Sequence, residues 1–158
     1  DAYRLLRRVN PAPYGSFLRF GEVIVLSSSP ECFLAVDRER RVEARPIKGT
    51  SRRGRGAAED ARLAADLQAD EKSRAENVTI GDLVRNGRGK VCEAGSVEVP
   101  EMMVVETLET GHQLVSVVRG RLRDDVDLAA CVRACFPPGS MTGAPKKRSA
   151  FFLSCRRM

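Results

Sequence analysis

The chain is 158 residues long, with 42% hydrophobic and 30% charged residues, which suits one globular domain with a real core. Its net charge of +6 is carried by 22 arginines and five lysines, and no run approaches the roughly 18 apolar residues of a membrane span. The arginines are spread along the chain and aromatic residues make up only 5%. A small anionic ligand therefore explains the local clusters of charge as well as a nucleic acid, whose bases want stacking partners.

Asp1-Ala2-Tyr3-Arg4 has no apolar core of the signal-peptide kind. Cys32, Cys92, Cys131, Cys135 and Cys155 are scattered and lack C-x-x-C spacing, which predicts reduced thiols in a cytoplasmic protein. Cys32, Cys131 and Cys135 fall within apolar patterns and are expected to pack as small hydrophobes. His112 is the single histidine, so a zinc site lacks a second imidazole.

Residues 3–8 predict the end of an amphipathic helix, halted by Asn10-Pro11-Ala12-Pro13. A domain seldom starts on the last turns of a helix, so a segment upstream is expected. Residues 17–20 and 23–26 predict a hairpin about Gly21-Glu22, with a turn at Ser27-Ser28-Ser29-Pro30. Residues 32–36 and 41–45 predict a second strand pair about the charged turn 37–40, opened by Glu31 and closed by Lys48. There Val42, Ala44 and Pro46 alternate with charged residues, as in a half-buried strand.

Lys48 then stands between a proline that restricts φ and a glycine that allows close backbone approach, at the expected strand end. Arg52, Arg53 and Arg55 follow, interleaved with Gly54 and Gly56. The motif offers one amine beside a flexible cationic loop, a seat for an anionic substrate and a nucleophilic or acid–base lysine. Five residues also fit a solvated lysine before a basic loop.

Residues 57–87 change to helical spacing. Ala61, Ala64, Ala65 and Leu67 predict one helix with Glu59 and Asp60 near its positive end; a second runs over residues 75–86, stopped by Gly87 and Gly89 as C-caps. Residues 96–100, 102–108 and 114–122 predict strands, and 127–135 a short helix capped near Asp124 or Asp125. The stretch 136–146 packs three prolines, two glycines and two hydroxyls ahead of an expected helix, a composition suited to gripping an anion at a helix N-terminus, or to a plain connection. Strands, then helices, then strands predict an α+β fold.

In this order, Asn10-Pro11-Ala12-Pro13-Tyr14, Ser29-Pro30-Glu31, Pro46-Ile47-Lys48-Gly49-Thr50, Asp70-Glu71-Lys72 with Ala75-Glu76-Asn77, Asp82-Leu83 with Arg85-Asn86, Gly95-Ser96-Val97, Leu114-Val115-Ser116 and the 136–146 stretch resemble the chorismate-utilising enzymes. They are most similar to the branch that aminates chorismate to 4-amino-4-deoxychorismate, toward para-aminobenzoate and folate. The resemblance implies antiparallel sheets with outer helices, as a partial chorismate-binding domain of the anthranilate synthase type over residues 1–158. It implies Mg²⁺ as cofactor, chorismate and ammonia as substrates, and a glutamine amidotransferase subunit or domain supplying the ammonia, with no nucleic acid or membrane partner. Lys48 corresponds to a nucleophile that attacks ring carbon C2, and Glu31 to the general acid that protonates the departing hydroxyl. Glu76 corresponds to a carboxylate holding Mg²⁺. Gly49, Thr50, Thr142 and Gly143 correspond to substrate-binding positions, the last two in a loop against the substrate's carboxylates. Members that make anthranilate usually show alanine at the Lys48 position.

The chemistry agrees. Displacing a ring hydroxyl needs a carboxylic acid with a raised pKa, and Mg²⁺ takes oxygen ligands while keeping waters. An attacking lysine must be neutral, which burial or nearby arginines promote. The chain departs from the family at Gln113, where histidine is usual, at Gly87 in place of aspartate, and at Thr79, near which methionine is usual. The resemblance further implies that the family's N-terminal part and a domain-sized C-terminal segment with the second metal carboxylate lie outside these residues, which alone are expected to be inactive. The alternatives are an inactive remnant or binding module, an anthranilate or isochorismate synthase, and a basic nucleic-acid-binding domain.

Overall fold

The computed structural model describes residues 1–142. The fold is α+β with antiparallel pairing throughout. Helix α1 (Ala2–Val9) buries no residue and rests on a hairpin of β1 (Tyr14–Phe20) and β2 (Val23–Ser29), where the Tyr3 and Phe17 rings lie 5.7 Å apart. The hairpin turns at Gly21, whose φ of +58° an L side chain rarely adopts. The expected turn at Ser27-Ser28-Ser29 is instead strand: Tyr14 pairs with Ser29 and Gly15 with Ser28, because the partner strand begins two residues before Ser16. Phe17, Phe20, Val23 and Ile24 are exposed.

The main sheet is built on β7 (His112–Arg121), the last strand in sequence. One edge of β7 pairs with β6 (Glu98–Thr107). Along the other run β4 (Arg41–Arg45) and β5 (Ile47–Ser51) end to end, with β3 (Cys32–Val36) beyond β4. The register passes unbroken through Pro46: Ala44 faces Val118 and Ile47 faces Val115. Pro46 has no N–H to give, but its carbonyl still accepts from the Ser116 amide at 3.1 Å. Leu114, Val115, Val117 and Val118 in β7 are each at most 2% exposed, so both faces of this strand are covered. The separate strands expected at 96–100 and 102–108 form one edge strand instead. Two register shifts absorb Pro100 and the left-handed Met103, features an edge tolerates.

Helices α2 (Ala57–Ala69) and α3 (Glu71–Gly89) pack on the sheet. Glu59 and Asp60 occupy the first turn of α2 as expected. Asp70 caps α3, its carboxylate accepting from the Ser73 amide at 2.7 Å, so this helix starts earlier than its apolar spacing suggests. Buried Asn77, Ile80, Gly87 and Arg88 define its inward stripe. Gly87 and Gly89 lie inside α3 rather than capping it. Gly87 faces α4 (Leu128–Cys135), where an added Cβ would come 3.5 Å from the Ala134 carbonyl. Asp127 caps α4 through the Ala130 amide at 2.6 Å, in place of the expected Asp124 or Asp125. Asp125 binds Arg123 instead. Cys92, Cys131 and Cys135 join Val42, Val91 and Leu122 in one core cluster, and Cys32 is also buried, as small hydrophobes would be. No helix among the described residues is long and apolar enough to cross a membrane.

A buried node locks α3 to the sheet. The Ser116 hydroxyl donates to Asn77 Oδ1 at 2.5 Å, and Asn77 Nδ2 donates to the Leu114 carbonyl at 3.0 Å. The amide of Met103 donates to Ser116 Oγ at 3.0 Å, which brings in β6. Asn77→Ala strands the Leu114 carbonyl and the Ser116 hydroxyl, and is expected to lower the unfolding free energy by about 1–3 kcal/mol in urea titrations. An unchanged midpoint would show that the node carries no stability.

Candidate active site

The site grows from the break in the β4–β5 edge. Past Ile47 the register slips by one residue before Thr50 meets Gln113, and Gly49 takes a φ of +94°. A bulge of this kind re-aims a side chain. Lys48 is therefore within a short bulged strand, not at a strand end. Gly49 lets the backbone press against α3: a Cβ there would lie 2.7 Å from the Ser73 Cβ. The close approach brings Lys48 beside the outer turn of α3.

Lys48, Glu76, Thr79 and Ile80 line an open pocket of about 380 Å³ together with Ser140, Met141 and Thr142. The last three belong to α5 (Gly139–Thr142), a single turn that follows the cis Phe136-Pro137 bond. Lys48 Nζ donates to the Ser140 carbonyl at 3.2 Å. Glu31, half-buried just before β3, bonds through its carboxyl to the Ser140 side chain. Burial raises the Glu31 pKa above its ordinary value, against the opposing pull of that bond and of the Lys48 charge. Lys48 from β5 and Glu31 from the turn before β3 thus converge on one residue of α5.

Of the other positions the sequence singles out, Glu76 is exposed at the pocket and Thr142 lies across it. Thr50 is exposed and does not line the pocket, and Gly49 acts as the spacer against α3. Gly143 lies outside the described residues. Ser140, the residue that both Lys48 and Glu31 reach, was visible in the sequence only as one hydroxyl of a proline-rich loop. For a metal, Glu76 and the hydroxyls of Thr79 and Thr142 are hard oxygen donors of the kind Mg²⁺ accepts. Among the described residues no three of His, Cys, Asp and Glu gather around a common point. The donor type fits, with Glu76 as the one carboxylate of the pocket lining.

The cationic loop is not the open anion seat that its arginines suggest. Arg53 binds Asp60 with both nitrogens, at 2.9 and 2.8 Å, and Arg52 binds Glu59 at 2.5 Å. Asp60 also accepts from the Gly54 amide and meets His112 Nε2 at 3.0 Å, while His112 Nδ1 meets the Thr107 hydroxyl at 2.8 Å. A carboxylate only accepts, so neutral His112 carries its proton on Nε2 and takes a bond from Thr107. His112 is 1% exposed and joins α2 to the ends of β6 and β7, away from the pocket.

An antiparallel α+β layer thus presents a lysine and one carboxylate on an open, hydroxyl-bearing pocket, with Glu31 behind it. The chorismate binding enzyme family matches residues 1–154, and the chain belongs to that family. It is 57% identical over 152 residues to an aminodeoxychorismate synthase of Streptomyces pristinaespiralis, covering 96% of this chain and 21% of that protein. It is 52% identical over 153 residues to the chloroplastic aminodeoxychorismate synthase of Arabidopsis thaliana, covering 96% of this chain and 17% of that protein. Among solved structures, anthranilate synthase component I from Streptococcus pneumoniae superposes with a TM-score of 0.79 at 38% identity, over 93% of this chain and 32% of that one. The chain thus spans about a fifth of the length of these synthase relatives.

The Asp60 cluster has a pH signature. Hydrogen bonds from Arg53, above all, hold the Asp60 carboxyl well below the ordinary value of 3.8. As the pH falls, the unfolded chain takes up this proton before the folded one. The stabilisation is complete above about pH 4 and lost on further acidification. Asp60→Asn is expected to flatten the fall of the thermal midpoint between about pH 4 and pH 2. Parallel curves for the two proteins would remove Asp60 from the acid transition.

Proposed function

We propose that this chain carries one wall of a site that aminates chorismate to 4-amino-4-deoxychorismate, with Lys48 as nucleophile and Glu31 as general acid. The observation that carries the proposal is their meeting on Ser140. Lys48 Nζ is 3.2 Å from its carbonyl, and Glu31 reaches the side chain of the same residue. A nucleophile and a proton donor acting on one ring must be held within a few ångströms, and β5, the residue that precedes β3 and the α5 turn hold them.

The steps are those that the resemblance to the amine-forming branch implies. The deprotonated Lys48 amine attacks C2, the ring double bonds shift, and the C4 hydroxyl leaves as water with a proton from Glu31. Ammonia then adds at C4, the bonds shift back, and the lysine is released. Burial raises the Glu31 pKa, the direction that favours a general acid. Glu76 would hold Mg²⁺, whose charge would neutralise the substrate's carboxylates; Thr142, and in the same loop Gly143, would contact them directly. The pocket of about 380 Å³ is within the range of small-ligand sites, roughly 300–1,000 Å³. An amidotransferase partner supplying ammonia and a role toward para-aminobenzoate belong to the same proposal.

The test uses a graft of residues 1–154 in place of the matching segment of the Streptomyces relative. Lys48→Ala in that graft should reduce ammonia-dependent amination at least about a hundredfold, since removing a covalent route withdraws several kcal/mol of barrier lowering. Glu31→Gln should lower turnover and abolish the fall of rate on the alkaline side of its pH profile without moving the Mg²⁺ requirement, whereas Glu76→Gln should raise the Mg²⁺ concentration for half-maximal rate. Full turnover by the Lys48→Ala graft would refute the nucleophile assignment, and identical Mg²⁺ titrations for wild type and Glu76→Gln would refute the metal role.

A further inference from the structure

Behind the Lys48 pocket lies a second, more enclosed space. It is a cavity of about 20 Å³ bounded by Glu31 and Cys32 before and in β3, by Arg88 of α3, by Cys135 of α4 and by Gly139 and Ser140 of α5. Arg88 is the unusual feature of its wall. The side chain is only 2% exposed, and its Nε has no hydrogen-bond partner. The remaining bonds run to the Val84 and Phe33 carbonyls, both at 3.4 Å, which is long for this kind of contact.

A guanidinium cannot shed its charge within a protein, so a buried one needs an anion or equivalent dipoles. The groups around Arg88 do not provide one. The titratable groups that act on it are the thiols of Cys32, Cys92, Cys131 and Cys135. Burial pushes Cys131 up to about 11 and raises Cys32 and Cys92 above their ordinary value, so those three thiols keep their protons at neutral pH. The Glu31 carboxyl is engaged with Ser140 and Lys48. No carboxylate among the described residues forms an ion pair with Arg88.

We propose that the cavity beside Arg88 is a binding site for one small monovalent anion of the halide class, with chloride as its physiological occupant. The size supports this assignment. Space for about one water-sized centre suits a single small ion better than a polyatomic one. The chemistry supports it as well, because a halide is a spherical acceptor that takes the orphaned Nε–H without needing further donors in fixed directions. Its single charge matches the one uncompensated cation. The site shares Glu31 and Ser140 with the candidate active site but does not depend on the reaction proposed there.

Thermal unfolding of the purified chain at equal ionic strength, in sodium chloride, bromide or gluconate, tests the proposal. Chloride and bromide should raise the midpoint over gluconate by roughly 2–4 °C at about ten times the dissociation constant, and the rise should saturate. Arg88→Met, similar in length but uncharged, should remove the difference between the salts. Crystals of the chain soaked in bromide should show an anomalous scattering peak beside Arg88 Nε. Equal midpoints in all three salts, an unchanged halide response in Arg88→Met, or a water in place of bromide would overturn the proposal. Should Arg88→Met not fold, the wild-type salt series and the bromide diffraction decide the question by themselves.

Discussion

The hydrogen bond from Ser116 to Asn77 holds the working parts of this molecule in place. Ser116 sits in the middle strand, and Asn77 is the first buried residue of the inward stripe of α3. Both are 2% exposed, and each is satisfied by further bonds to Leu114 and Met103. A buried polar pair is tolerated only in one register, because any slip leaves a donor or acceptor without a partner. Once Asn77 is fixed, the helix geometry of 3.6 residues per turn places Glu76, Thr79 and Ile80 around the pocket. The bulge at Lys48 and Gly49 supplies the other half, and it needs the same helix to press against.

Charge is distributed on a similar logic. The chain is strongly basic, yet many of its arginines are matched to particular carboxylates. Arg45 pairs with Glu106 across the sheet, Arg119 with Glu43, Arg52 with Glu59 and Arg53 with Asp60. Exposed pairs of this kind add little stability each, but they orient loops and strand ends. The Arg53–Asp60–His112 chain does so for the segment that leaves β5. Arg88 is the exception: it is the arginine drawn fully into the interior, with its charge unmatched by the residues around it.

By itself the sequence determined the α+β class, the hairpin at Gly21, the strand pair about residues 37–40, the two long helices and the burial of Cys32, Cys131 and Cys135. Each is a local pattern: alternation in strands, spacing in helices, turn residues between them. The ordered motifs also carried the family, through Lys48, Glu31 and Glu76. Tertiary structure decided what those patterns leave open. Asp127, in place of the expected Asp124 or Asp125, caps α4, and Asp70 starts α3 ahead of its apolar spacing. Gly87 became a packing contact with α4 instead of a helix stop. Arg52 and Arg53 of the arginine loop are paired with acids of the following helix, and Ser140 emerged as the meeting point of Lys48 and Glu31. Those outcomes depend on which residues far apart in the chain come into contact. Distance along the chain says nothing of that until the sheet has closed around β7 and α3 has been locked upon it.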